Sequence, residues 1–558
     1  MNSMVRVKTW NNKIVAQVPY EQKNLITCRR TVMGYKFVKA DKPYWEFPFS
    51  PIVAGLFCRD FPNVEFLDSR VPDLHLAYQK ALEAKVNGFT LPDIPGLKKI
   101  NPKDGTPLVP WLHQKQAFWF CKNLPGSMLA FDMGTGKSLT AVALTVNNPH
   151  DRVLIVCPKS VMPVWPSEFR YALKDDFLIH AAIGRETVKR KAERMKQMVE
   201  VGVRNRQSFI GIINYDSFWR DDMKKVLLDY DWDVLIADEI HRAKSPSNTA
   251  RASKFLTRIA RQAAKRIGLT GTPMPHSPLD IFAPYRALDP AIYGENFHRF
   301  KLLYAELGGF GGKEIIGFKN QEELSAKFKS IAVQASKSVL NLPDFVHTYR
   351  TCELSSKARK VYRELDKQLY AEIAEGTCSP ANAMVKVLRL QQLTSGYIAL
   401  DDTDRLAEVD TGKRDLLRDV LEDMPHSEPV VVFCRFTADV ANVRWVAKEL
   451  KRPCGELSGK RNDLKAWQDG ESTILAVQIR SGGVGIDLTR AAYCIYYSVG
   501  HSLGDYLQSL DRTHRYGQKR NVTYYHLLAE NTIDQKVYRA LMQKKDVIDV
   551  ILNMEVFL

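Results

Sequence analysis

The sequence predicts an α/β protein built as two parallel-sheet lobes with a helical insert and linker between them and a small N-terminal accessory domain. Three observations predict it. Short runs of β-branched and other apolar residues recur in two sets along the chain, and helix-spaced segments separate the runs. Continuous apolar strands alternating with helices belong to parallel sheets covered on both faces. The stretch between the two sets is mainly helical, and LPDIPGLKKINPKDGTPLVP (91–110) carries five prolines and two glycines, which interrupt helix and sheet alike.

Residues 1–100 precede that break and form the expected accessory domain. Aromatic residues Tyr35, Phe37, Tyr44, Trp45 and Phe47 alternate there with Arg29, Arg30, Lys36, Lys39 and Lys42. Two readings stand side by side: aromatics such as Trp45 stack on exposed bases while the cations follow a nucleic-acid backbone, or aromatics at strand spacing fill a small core.

The first lobe is expected over 105–285, with strands in VLIVC (153–157), FIGIIN (209–214), DVLIADE (233–239) and RIGLTGT (266–272). AFDMGTGKS (130–138) precedes a helix-compatible run. Gly134 and Gly136, flanking Thr135, let backbone N–H groups approach phosphate oxygens; Lys137 supplies a point charge for β and γ phosphates, and Ser138 a hydroxyl ligand for Mg²⁺. Phe131 stands where the strict phosphate-loop pattern has its first glycine. Asp238 and Glu239 then close an apolar strand, at the edge where open α/β sheets bind ligands. Asp238 is the expected Mg²⁺ partner and Glu239 the group that polarises an attacking water. RETVKRKAERMK (185–196) has helical character and either flanks a DNA path or is an exposed charged helix.

The insert and linker are expected over 286–405, broken by GGFGG (308–312). The second lobe, 406–558, has candidate strands VVVFC (430–434), ILAVQ (474–478), YCIYYS (493–498) and YYHLLAE (524–530). In QSLDRTHRYGQKR (508–520), Arg512 and Arg515 lie three apart, a spacing that shares one helix face.

These strings resemble the motifs of superfamily 2 helicases, and specifically of Swi/Snf-type DNA translocases, from about 105 to 545. LHQKQAFWF (112–120) resembles the adenine-reading element, with Gln116 as its glutamine; AFDMGTGKS resembles motif I, VLIVCPKSVMPVWPSEF motif Ia, DEIH motif II and LTGTPMPHSPLDIF motif III, with His276 where asparagine is usual. VVFCRFT, VQIRSGGVGIDLTRA and QSLDRTHRYGQKR resemble motifs IV, V and VI, and 523–545 the brace after them. KSVLNLPD (337–344) keeps the family's linker pattern, whereas His501-Ser502-Leu503 replaces a usual W-N-P. The resemblance implies two RecA-like lobes. It further implies ATP and Mg²⁺ as cofactors, Gly482, Gly483 and Thr270 at nucleic acid, Gly485 and Asp487 toward the nucleotide cleft, and Arg512 or Arg515 on the γ-phosphate. The N-terminal segment resembles the HARP domain of annealing helicases over a few residues.

The composition is compatible with this reading. The 558 residues, 45% hydrophobic and 26% charged, suffice for several cores, and a net charge of +17 favours a polyanion or an acidic membrane surface. Nine cysteines contain no C-x-x-C pair, so neither a zinc site nor a disulfide framework is written. The start lacks a secretory pattern and no run reaches the 18 apolar residues of a membrane span. The expectation is a monomer in the bacterial or virus-infected cytoplasm, in preference to the nucleus. It hydrolyses ATP to move on double-stranded or branched DNA, remodelling DNA or displacing bound proteins, with annealing activity as one form. The alternatives are a strand-separating DNA or RNA helicase and a nucleic-acid clamp with a vestigial nucleotide site.

Overall fold

The computed structural model describes residues 4–19, 34–61, 63–86, 91–100, 105–145, 152–173, 177–184, 186–245, 250–312, 314–374, 380–399, 406–479 and 486–553. They fall into two compact units, Met1–Val339 with the chain from Ile548, and Leu340–Val547. Among the described residues no helix is long and apolar enough to cross a membrane.

The N-terminal segment forms a five-stranded sheet of β1 (Val5–Trp10), β2 (Lys13–Gln17), β3 (Lys36–Val38), β4 (Tyr44–Pro48) and β5 (Val64–Phe66), ordered β3-β4-β2-β1-β5. Asn11 and Asn12, both at positive φ, make the tight β1–β2 turn. Trp45 and Phe47 point into a core with Val5, Ile14 and Phe57. Trp45 is only 6% exposed and packs on Tyr35 and Phe37 at ring distances of 5.5 and 5.0 Å. This corrects the base-stacking expectation for Trp45: its ring is consumed by the core. Arg29 and Arg30 lie outside the described residues.

The segment is also tied to the rest of the first unit. Ala291 belongs to the same core, and the Ser50 hydroxyl donates to buried Asp289 Oδ2 at 2.6 Å. From helix α1 (Arg70–Val86), the Tyr78 hydroxyl donates to the Ser330 carbonyl at 2.9 Å. Lys85 Nζ stands 4.0 Å from the centre of the Phe120 ring.

The first unit's main sheet holds β6 (Gly126–Phe131), β7 (Arg152–Cys157), β8 (Phe177–Ala181), β9 (Ser208–Asn214), β10 (Val234–Asp238), β11 (Lys265–Leu269) and β14 (Ala332–Ala335), ordered β14-β6-β11-β10-β7-β9-β8. All six pairings are parallel. Every residue of β9 and β10 is buried, which explains why their sequences are unbroken apolar runs. A hairpin of β12 (Ala305–Gly308) and β13 (Glu314–Phe318) flanks the GGFGG segment. The expected 286–405 insert is thus divided: β14 completes the first sheet, and the chain enters the second unit at Leu340.

The second unit carries β15 (Phe345–Cys352), β18 (Val430–Cys434), β19 (Cys454–Leu457), β20 (Ile474–Gln478), β21 (Tyr493–Tyr496) and β22 (Val522–Ala529) in the order β15-β22-β21-β18-β20-β19, again wholly parallel. A small antiparallel pair, β16 (Tyr397–Ala399) and β17 (Leu406–Glu408), lies beside it in sequence. Its core gathers Val430, Val432, Val443, Ile474 and Ile495. The basic segment 185–196 lies largely in an amphipathic helix of the first unit, Val188–Asn205, that buries Ala192, Met195 and Val199.

Candidate nucleotide site

The strand β6 delivers the chain into the loop Asp132–Gly136, and helix α2 (Leu112–Cys121) packs beside it. Gly134 and Gly136 sit at φ +85 and +83, the left-handed region that glycine enters without a steric cost. A Cβ on Gly136 would collide with the Gln114 side-chain nitrogen. That nitrogen donates to the Gly136 carbonyl at 3.1 Å, while Gln114 Oε1 accepts from the Trp111 N–H at 2.8 Å. His113 Nε2 donates to the Thr135 carbonyl at 2.8 Å, and burial holds this imidazole below its usual pKa, hence neutral. Gln116 is elsewhere: it donates to the Lys85 carbonyl at 3.2 Å. The glutamine that meets the loop is therefore Gln114, not the expected Gln116, because α2 turns Gln116 toward α1.

Helix α3 (Lys137–Ala143) begins at the loop's end, so Lys137 and Ser138 occupy its first two positions. Lys137 Nζ donates to the Phe131 and Asp132 carbonyls at 2.7 and 3.1 Å. Asp132 also grips the far end of the unit, its N–H donating to the Ala335 carbonyl at 2.9 Å and its Oδ2 accepting from the Lys337 N–H at 3.0 Å.

Asp238 ends β10, two strands from β6, with β11 between. Its Oδ2 accepts from Trp165 Nε1 at 3.2 Å, and the Tyr215 hydroxyl donates to its backbone carbonyl at 2.9 Å. Burial first, then the neighbouring Glu239 charge, push the Asp238 carboxyl up to about 7, against the opposing pull of Lys137. Glu239 comes next at φ +51, an uncommon backbone state for a side-chain-bearing residue. It is 2% exposed, and its Oε2 has no hydrogen-bond partner among the described residues. His241 Nδ1 lies 3.3 Å from that oxygen and 2.9 Å from Thr270 Oγ1. Thr270 is fully buried and also accepts from the Thr272 N–H at 3.0 Å. Its expected nucleic-acid contact is thereby corrected: its hydroxyl ties the strand end of β11 to the turn that carries Glu239.

A hard divalent cation fits this donor set. A desolvated carboxylate, a hydroxyl at a helix start and an unpartnered buried carboxylate oxygen are all oxygen donors. Among the described residues no three His, Cys, Asp or Glu side chains form a closed cage.

In the second unit, helix α4 (Leu503–Thr513) ends one residue after Arg512, so Arg515 lies beyond it in a turn. The two do not share a helix face as expected. Arg512 is 4% exposed, and its carbonyl accepts from the Leu488 N–H at 3.0 Å. Arg515 Nη1 donates to the Ile486 carbonyl at 3.3 Å, and its Nε is buried without a partner among the described residues. Asp487 Oδ1 accepts from Thr489 N at 2.9 Å and Oγ1 at 2.7 Å, closing its own turn. Gln518 Nε2 donates to the Ala491 carbonyl at 2.9 Å, fastening the same two segments. Gly482, Gly483 and Gly485 lie outside the described residues.

Residues 81–395, more than half of the chain, match the SNF2-related domain. The protein belongs to the SNF2 family. It is an ATP-using enzyme of the helicase type, and residues 412–517 of this SNF2-family protein match the helicase conserved C-terminal domain. Among curated relatives, protein p41 of Acyrthosiphon pisum secondary endosymbiont phage 1 is 24% identical over 75% of this chain and 93% of its own. DNA repair and recombination protein RAD54B of Gallus gallus is 23% identical over 77% of this chain and 52% of its own. The subfamily A-like protein 1 homolog of Caenorhabditis elegans, a SWI/SNF-related matrix-associated actin-dependent regulator of chromatin, is 26% identical over 78% and 61%. The chain thus spans nearly all of the phage relative and about half to three-fifths of these two animal ones. The SWI2/SNF2 ATPase core of Sulfolobus solfataricus in complex with dsDNA aligns with 82% of this SNF2 chain and 95% of its own, at 21% identity and a TM-score of 0.38.

Trp165, Tyr215, His241, His113 and Gln114 join the site although sequence reasoning does not single them out. Four of them carry a signal: His113 and Gln114 lie within the string resembling the adenine-reading element, Trp165 within the string resembling motif Ia, and His241 closes D-E-I-H.

Proposed function

We propose that this SNF2-family enzyme is an ATP-driven translocase on double-stranded DNA that remodels DNA or displaces bound proteins. The observation that carries the reading is the buried Asp238–Glu239 pair with its unpartnered Glu239 oxygen, on the sheet edge that also presents Lys137. Gly134–Ser138 cradle the phosphates of ATP, and Lys137 exchanges its two carbonyl partners for phosphate oxygens. Ser138 and Asp238 hold Mg²⁺, which when bound supplies charge neutralisation on the β and γ phosphates. Glu239 positions the attacking water and accepts its proton; its left-handed backbone and the neutral His241 beside it fix the carboxylate. Arg512 or Arg515 of the second unit stabilises charge on the transferring phosphoryl group, a role worth about 10³ to 10⁵ in rate.

The net charge of +17 supports a polyanionic track, and backbone tracking makes affinity salt-dependent and nearly sequence-independent. Similarity to a phage protein supports action in the bacterial or virus-infected cytoplasm; we propose a monomer. The test is steady-state ATP turnover with duplex, single-stranded and forked DNA and with RNA, beside triplex displacement as a readout of movement. Duplex alone should stimulate turnover and support displacement, and Lys137→Ala should abolish both. Stimulation confined to single strands, with strand separation, would replace this reading by a conventional helicase.

A further inference from the structure

A cavity of about 280 Å³ opens within the first unit where the N-terminal sheet meets the main lobe. The β1–β2 turn, the β4 end and the loop residue Gly34 line one side; Arg266 at the start of β11 and Arg286 in the helix Phe282–Leu288 line the other. Five cations face it, and two are neutralised locally: Lys13 pairs with Glu46 and Arg261 with Glu295, each at 2.6 Å.

Lys36, Arg266 and Arg286 have no carboxylate within 4 Å among the described residues. Arg266 Nε donates to the Pro125 carbonyl at 3.0 Å, and Arg286 Nη2 to Ser253 Oγ at 3.2 Å. Arg286 Nε is buried with no partner among the described residues. Burial holds both guanidinium groups below their ordinary pKa, an effect that the more distant Asp289 and Glu295 charges only partly offset. Two desolvated cations thus meet an opening without a paired anion for either.

We propose that this cavity binds the phosphate group of a single nucleotide unit, either the terminal phosphate of a DNA strand or a free nucleoside monophosphate. Guanidinium groups are suited to it because their forked donors match phosphate oxygens. The volume admits one nucleotide unit and excludes a duplex. Asn11 and Asn12 add amide donors and acceptors to the lining. The cavity is separate from the ATP loop: Arg266 is the second residue of the strand whose other end leads to Thr270 and Gly271 beside Lys137, roughly 15 Å of extended chain away.

The test uses the full chain with its ATP site filled by a non-hydrolysable ATP analogue, so that it does not depend on movement along DNA. Fluorescence anisotropy compares 5′-phosphorylated with 5′-hydroxyl tetrathymidylate labelled at the 3′ end. The phosphorylated probe should bind about tenfold or more tighter. Arg286→Gln and the exposed-site variant Lys36→Glu should each erase most of that difference while leaving DNA-free ATP turnover unchanged. Competition by thymidine monophosphate assigns the site to free nucleotides as well; binding of the phosphorylated strand without such competition assigns it to strand ends. Equal affinity for the two probes, or full discrimination in both folded variants, overturns the proposal.

Discussion

Replacing Asp238 by Asn should make the ligand-free protein more stable at pH 8 although it disables the enzyme. The side chain is buried and its carboxyl is raised from 3.8 to about 7. The folded state therefore binds the proton more tightly than the unfolded chain between those values, so this residue's contribution to stability falls as pH rises through that window and is flat above it. At about 1.4 kcal/mol per pH unit, the ionised carboxylate costs the fold roughly 4 kcal/mol at pH 8. Asparagine keeps an oxygen for Trp165 Nε1 and carries no charge. For a unit of roughly 340 residues with about 2.1 cal/mol/K of unfolding entropy per residue, the expected rise in Tm is roughly 5 °C. Calorimetry or near-ultraviolet circular dichroism in chelator-containing buffer measures it. The advantage should shrink below pH 7 by about 1.4 kcal/mol per pH unit, leaving less than half at pH 5. Identical melting of wild type and Asp238→Asn at pH 8, or a gap that does not narrow toward pH 5, would refute a desolvated carboxylate at this position.

Glu239→Gln should retain ATP binding but lower kcat by about 10² to 10⁴, the ordinary worth of a positioned base, as read by turnover beside nucleotide binding. Gln114→Ala should raise the KM for ATP, because the loop loses its clamp at Gly136, whereas Gln116→Ala should lower Tm slightly with KM unchanged; the reverse pattern would restore Gln116 as the nucleotide-facing glutamine. Ser50→Ala should cost about 1–3 kcal/mol in urea unfolding, since buried Asp289 loses its hydroxyl donor. No change there would separate the N-terminal sheet from the stability of the first lobe.

The strands legible in the sequence are those buried on both faces. The apolar runs 430–434 and 474–478 coincide with their strands to the residue, and 153–157 and 209–214 agree to within one, because a parallel interior strand has no polar face to interrupt its apolar run. The strand feeding the phosphate loop, GSMLAF, is not legible because glycine, serine, methionine and alanine carry little strand propensity; tertiary pairing with β11 and β14 decides it. Edge strands such as AVQA and CGEL are too short to show a period. At the site, Lys137, Asp238 and Glu239 can be read from local strings because backbone geometry at strand ends fixes them. Gln114 cannot, since both glutamines lie on one helix and only packing decides which turns to the loop. Trp45 fails for a related reason: alternating aromatics have the same pattern whether their partners are bases or the helices that cover the sheet.

Asp132 gives the phosphate loop a mechanical role. Through its N–H and its carboxylate it holds Ala335 and Lys337, so the first residue of the loop is also the anchor of the chain that leaves β14 toward the second unit. A substitution at Asp132 that removes its carboxylate therefore loosens the end of β6 and the start of the departing chain together.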